Sequence, residues 1–276
     1  MFESKSLSDV GKVRERNEDC VGHNSEFGFW IVADGVGGNS FGHVASEIAV
    51  QSADRAMRQG GSVVEAVASA NASVLSASED NAELSGMAST IVACQFNENC
   101  YEISWIGDSR AYYVGKDNQC CLTSDHNMAA ETDGADESAR HQLTQALGYM
   151  SLDQPPVVTG VLDDGDYILL CSDGLSGVVD SQRIYELILR AGSVEEAADL
   201  LMSEALAAGA PDNVTLSLVK NAAAALEVPS GLGLDTDEDP SYRCCFDDKE
   251  YERNRKSLPY IMAIIALSML FLILFV

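Results

Sequence analysis

Apolar residues along this 276-residue chain follow two periodicities. Short runs rich in Val, Ile, Tyr, Phe and Trp, punctuated by Gly or polar residues, predict strands over 27–33, 88–96, 101–106, 111–114, 167–171 and 214–219. Stretches rich in Ala, Glu, Met and Leu, with apolar positions about every 3.6 residues, predict helices over 42–59, 62–80, 181–190 and 194–208. The order is strand, two helices, several strands in succession, two helices, strand. Strands that follow one another without an intervening helix point to antiparallel sheets with helices stacked outside, not to a doubly wound parallel sheet. Residues 135–147 fit a helix or an irregular segment equally.

The apolar pattern changes character near the C-terminus. Residues 227–257 combine Pro229, Gly231, Gly233, an acidic cluster around Asp235–Asp239 and Pro240, a composition that cannot bury enough apolar surface to fold alone. They predict a flexible linker. Residues 258–276 carry no charge and would extend about 28 Å as a helix, close to the thickness of a bilayer's hydrocarbon core. The basic flank Arg253-Asn-Arg-Lys256 places its start on the cytoplasmic side. A single C-terminal transmembrane helix is therefore expected, with a body of residues 1–226 facing the cytoplasm. Cys244 and Cys245, just before the run, are candidates for palmitoylation.

The body is long enough for one domain with a sizeable core. Charge narrows its partners: 17 Lys and Arg stand against 43 Asp and Glu, a net -26, which repels nucleic-acid phosphates. Most of this charge reads as solvation of the surface. Eight cysteines occur without any C-x-x-C pair, and Cys94 and Cys171 lie inside apolar runs. That placement points to buried thiols in a reducing compartment rather than to disulfides. No apolar run near the N-terminus reads as a secretory signal.

A few carboxylates stand apart from the rest. Asp34 in Ala33-Asp34-Gly35-Val36-Gly37-Gly38, Asp173 in Ser172-Asp173-Gly174 and Asp212 before Asn213 each sit at the edge of a predicted strand. Carboxylates raised to strand ends from remote parts of a chain can converge as oxygen ligands for hard divalent cations. This points to a metal-dependent enzyme acting on phosphate.

With further landmarks the chain resembles a known family. These are Asp9-Val-Gly-Lys-Val-Arg14-Glu-Arg-Asn-Glu-Asp19, Gly86-Met-Ala-Ser-Thr90, Ile106-Gly107-Asp108-Ser-Arg110, Leu122-Thr-Ser-Asp125-His126, Thr144-Gln-Ala-Leu-Gly148, Ser172-Asp173-Gly174-Leu175 and Asp212-Asn213-Val-Thr215. In this order they resemble the metal-dependent protein phosphatases of type 2C, in the bacterial single-domain form. The resemblance implies an α+β fold, a four-layer α-β-β-α sandwich of two antiparallel sheets flanked by helices. It implies two Mn²⁺ or Mg²⁺ ions, with Asp34 bridging them and the Gly35 carbonyl on one. Asp173 and Asp212 resemble the remaining carboxylates on the other ion. Asp19 is similar to the residue that holds an ion through its waters, and Asp108 to one linked with a third, weaker metal. Arg14 resembles the arginine that grips the substrate phosphate, a planar fork suited to two phosphoryl oxygens. The activity implied is hydrolysis of phosphoserine and phosphothreonine on proteins without a phosphoenzyme. By analogy the targets are a Ser/Thr kinase or its substrates.

The chain also departs from that pattern. Val36 stands where eukaryotic members commonly carry a histidine acid, and residues 127–142, the place of a mobile flap, are short and polar. Ser109 and Arg110 are expected to fix a local turn and His126 to serve structure. His23, His43 and His141 are expected at the surface, and Asp163-Asp164-Gly165-Asp166 as a turn before a strand. Two other functions compete with the protein phosphatase. One is an inactive phosphopeptide-binding scaffold; the other is a phosphatase for a small phosphorylated metabolite.

Overall fold

In the computed structural model the described residues are 2–36, 41–132, 139, 142–149 and 154–222. Gly37, Gly38, His141, the linker 227–257 with Cys244 and Cys245, and the apolar run 258–276 lie outside them. Among the described residues no helix is long and apolar enough to cross a membrane.

Two antiparallel sheets form the centre. One runs β1 (Phe2–Asp9), β11 (Val214–Asn221), β10 (Tyr167–Cys171), β7 (Arg110–Val114), β8 (Gln119–Cys121). The other runs β2 (Asp19–Asn24), β3 (Phe29–Val36), β5 (Ile91–Asn97), β6 (Cys100–Ile106), β9 (Val157–Val161), and β4 (Ala88–Ser89) pairs with β3 beside β5. Helices α1 (Gly42–Arg58) and α2 (Val63–Asp80) pack on the second sheet, α5 (Ser181–Arg190) and α6 (Val194–Ala207) on the first. Single turns α3 (Met128–Glu131) and α4 (Asp173–Ser176) complete the helices.

Alternation along the strands divides the core into layers. Trp30, Val32, Val92, Ile103, Ile168 and Leu170 point between the sheets. Ile31, Ala33, Ile91 and Ile106 face the other way, onto Ala45, Ala49, Ala53, Val67 and Val74 of α1 and α2. Leu169, Cys171, Leu216 and Leu218 pack on Ile184, Leu187, Ala198 and Leu201 of α5 and α6. Burying each Leu or Ile stabilises the fold by roughly 1.5–3 kcal/mol relative to exposure. The alanines of α1 let that helix lie close to the sheet.

Caps set the helix starts. Ser62 and Glu65 form a reciprocal capping box at α2, and Asp180 and Ser193 cap α5 and α6. The expected helices and apolar strands are all present, with ends shifted by a few residues. The predicted 88–96 strand is broken at Thr90 into β4 and β5. Strands β1, β2, β8 and β9 are additional. They are short or polar, and β1 replaces an apolar face by hydroxyl pairs, Ser6 to Ser217 at 2.9 Å and Ser8 to Thr215 at 2.7 Å. The six described cysteines are free; Cys94 and Cys171 are buried, whereas Cys100, the first residue of β6, and Cys120 and Cys121, on the edge strand β8, are exposed.

Candidate active site

Strand pairing places the first two carboxylates. Asp19 opens β2 directly across from Asp34 on β3. The end of β3 is then held from its other edge: the Asp34 N–H donates to Thr90 Oγ1 at 3.0 Å, and its carbonyl accepts from the Thr90 N–H at 2.8 Å and from Ser89 Oγ at 3.0 Å. Thr90 Oγ1 lies 2.7 Å from Ser109 Oγ, tying this strand end to the turn that carries Asp108. The Gly35 N–H donates to the Glu18 carbonyl at 3.1 Å, and a side chain at Gly35 would collide with the Gly42 carbonyl at the start of α1.

The other sheet supplies the remaining groups. After β10, Ser172 turns the chain into α4, whose first residue is Asp173. Ser172 Oγ donates to Asp19 Oδ2 at 2.8 Å and accepts from the Thr215 N–H at 3.0 Å, so one hydroxyl bridges the sheets and aims Asp19. Asp212 lies just before β11, its Oδ1 accepting the Asn213 N–H at 2.8 Å and its Oδ2 the Arg14 guanidinium at 2.8 Å. Arg14, Asp34, Gly35, Asp108, Asp173 and Asp212 line one cleft of about 380 Å³, with Glu18, Val36, Leu143 and Asn213.

Crowding of carboxylates gives the cleft its electrostatics. Burial, reinforced by the charges of Asp19, Asp173, Asp212 and Asp108, holds the Asp34 carboxyl well above the usual range. Asp19 is pushed up to about 6, first by burial, and Asp108 to about 7, by burial and then by the charges of Asp173 and Asp125. Arg14 is held more firmly protonated by its hydrogen bond to Asp212.

These groups fit hard divalent cations. All the donors are oxygen, which suits Mg²⁺ or Mn²⁺. Asp19 Oδ1 is buried without a hydrogen-bond partner among the described residues, so a polar atom stands ready beside Asp34. No three His, Cys, Asp or Glu side chains among the described residues converge closely enough to hold one ion alone. An ion here would therefore keep water in its shell, as Mg²⁺ commonly does.

The neighbouring residues have structural partners. Arg110 forms a two-pronged pair with Asp125, Nε–Oδ1 2.8 Å and Nη2–Oδ2 2.7 Å. His126 accepts the Gly107 N–H on Nδ1 at 3.1 Å and stacks on Trp105, and burial lowers its pKa. His23 is exposed, and His43 is half-buried against Arg16. Residues 163–166 form the expected turn, with the Asp166 N–H on the Asp163 carbonyl at 3.1 Å. Sequence reasoning did not assign Glu18, Leu143 or Asn213 to the site. Glu18 stands in the acidic run beside Asp19, and Asn213 follows Asp212; for Leu143, next to a polar stretch, the sequence carried no signal.

Residues 12–208 match the family model described as protein phosphatase 2C. The serine/threonine phosphatase stp of Listeria innocua is 29% identical over 235 residues, covering 77% of this chain and 93% of that protein. Protein phosphatase PhpP of Streptococcus pneumoniae is 31% identical over 239 residues, 79% of this chain and 97% of the other. Among solved structures, the catalytic domain of the serine threonine protein phosphatase PstP in complex with two manganese ions is similar with a TM-score of 0.72 and 29% identity, covering 79% of this chain and 97% of that one.

Proposed function

The chain belongs to the protein phosphatase 2C family, and from that premise we propose that it hydrolyses phosphoserine and phosphothreonine on proteins, as a metal-dependent phosphomonoester hydrolase. One observation carries the proposal: Asp34, Asp108, Asp173 and Asp212, drawn from both sheets, gather with Arg14 around one open cleft, and Asp19 stands directly across from Asp34 on the neighbouring strand without lining the cleft. A scaffold that only bound phosphopeptides would have no use for so costly a concentration of like charge.

Two Mn²⁺ or Mg²⁺ ions would be held by Asp34, the Gly35 carbonyl, Asp173 and Asp212, with Asp19 acting through water and Asp108 serving a third. When bound, such ions supply Lewis-acid charge and acidify water. The chain's own residues supply the remaining functions. Arg14, half-exposed at the cleft mouth, offers two N–H groups to two phosphoryl oxygens and offsets charge as it builds on them. Ser172 keeps Asp19 aimed, and Thr90 and Ser89 keep the Asp34 backbone fixed. Val36 brings no acidic proton to the cleft, so the leaving oxygen must draw its proton from solvent. Arg14 releases Asp212 when phosphate arrives. An ion pair as open as theirs contributes only about 0–1 kcal/mol, so the exchange is inexpensive.

Asp34→Asn and Asp173→Asn test the proposal. Each should abolish phosphate release from a phosphothreonine peptide while far-UV circular dichroism stays unchanged. Turnover retained in both variants would overturn it.

The membrane anchor rests on sequence alone: an uncharged run over 258–276 behind a basic flank. It places the catalytic body on the cytoplasmic face, beside a membrane Ser/Thr kinase or that kinase's substrates. The full chain should sediment with membranes and be released by detergent but not by high salt. Release by salt would contradict a spanning anchor.

A further inference from the structure

The loop that carries Arg14 has little to order it from within. It spans 10–18, between β1 and β2, and residues 12–16 are exposed. Its guanidinium ion pair with Asp212 is itself open to solvent, and such pairs contribute little order. The backbone on either side of Arg14 is instead gripped from the far end of the chain.

Asn213 makes that grip. It is 4% exposed, and its amide uses both of its ends. Nδ2 donates to the Val10 carbonyl at 2.9 Å and to the Arg16 carbonyl at 2.9 Å, while Oδ1 accepts the Glu18 N–H at 2.8 Å. The partners fix which end is which, since only the NH₂ can serve two carbonyls. The start, the middle and the end of the loop are thus tied to one side chain. Neighbouring backbone closes the same clasp: the Lys12 N–H donates to the Ala210 carbonyl at 3.0 Å. Gly11, at φ +75°, lies so close to the Asp212 carbonyl that a side chain there would collide with it.

We infer that Asn213 is the positioning residue for Arg14: it sets the height and direction of the phosphate-gripping guanidinium above the carboxylates without touching substrate. This rests on the role proposed above for Arg14. Aspartate at 213 would lack both donors and would face two carbonyl oxygens with a negative charge. Leucine, of similar branching but larger, would leave two acceptors and one donor unsatisfied. An amide is the side chain that meets all three partners.

The test is a double-mutant cycle in the full chain, with Arg14→Ala, Asn213→Ala and both together. Its readouts are kcat/KM on a phosphothreonine peptide, inhibition by inorganic phosphate and the Mn²⁺ concentration for half-maximal activity. Asn213→Ala should lower kcat/KM at least 10-fold and weaken phosphate inhibition by a similar factor. In the Arg14→Ala background it should change either by less than 2-fold. The Mn²⁺ midpoint should stay within 2-fold, because the effect passes through Arg14 and not through Asp212. Should Asn213→Ala fail to fold, Asn213→Ser, which keeps one polar atom there, carries the same cycle. Equal losses in both backgrounds, or a 10-fold shift in the Mn²⁺ midpoint, would overturn the inference while leaving Arg14's role standing. If Arg14→Ala alone left kcat/KM and phosphate inhibition unchanged, both would fall.

Discussion

Replacing Asp108 by asparagine should stabilise this protein when divalent cations are removed. Asp108 is 7% exposed, and burial and the charges of Asp173 and Asp125 raise its carboxyl from 3.8 to about 7. Below about pH 4 the group is protonated in folded and unfolded chains alike and costs nothing. Between about 4 and 7 the folded chain holds a proton that the unfolded chain has released, so stability falls as pH rises through this window. Above pH 7 the cost of ionising it in place is complete. At 1.36 kcal/mol per pH unit the displacement corresponds to about 4 kcal/mol, and relaxation of the site reduces this to roughly 2–4 kcal/mol. Urea unfolding of wild type and Asp108→Asn, both in excess EDTA, reads the difference, because titrating groups that do not interact with Asp108 cancel. The variant should be more stable by that amount at pH 8, and the gap should close near pH 4. Saturating Mn²⁺ should narrow the gap at pH 8, since cations beside Asp173 offset the charge. A gap that does not change with pH, or a variant less stable than wild type at pH 8 in EDTA, would refute this account of the cleft.

Other perturbations test the supporting structure. Gly174→Ala drives a methyl group into the Asn213 carbonyl where α4 meets β11, and should cost about 1–3 kcal/mol in urea unfolding and lower kcat with it. Asp125→Ala strips Arg110 of its two-pronged partner at a half-buried site. The expected loss is about 2 kcal/mol, between the values for exposed and buried pairs, with wild-type stability in the variant as the contrary result. Truncation after residue 226 should leave activity on a small phosphoester intact but lower it on a membrane-bound phosphoprotein, because tethering raises effective concentration. Equal rates on the membrane substrate would remove that role from the C-terminal run.

The fold was legible where side chains advertise it. β10 is an unbroken apolar run and β3 is one as far as Ala33, and α2 and α6 carry apolar positions about every 3.6 residues. β1 could not be read this way. Its pairing with β11 uses serine and threonine hydroxyls and backbone hydrogen bonds, so its sequence FESKSLSD carries no apolar face. The same division holds in the site. Asp34, Asp173 and Asp212 were visible because each stands at the end of an apolar run. Asn213 was visible only as a neighbour of Asp212, since what it does depends on carbonyls of Val10 and Arg16 that are brought to it by β1–β11 pairing. Ser172, likewise, acquires its partner Asp19 only when the two sheets stack. Residues whose role lies in a hydrogen bond across the fold leave no mark on periodicity.

The most direct measurement of the central claim is phosphate release from a phosphothreonine peptide by the purified protein with Mn²⁺, with Mg²⁺ and with excess EDTA. The carboxylate cleft predicts release with at least one of the two cations, loss of release in EDTA, and recovery when the cation is restored. Release undiminished in EDTA, or none with either cation from protein shown to be folded, would contradict it.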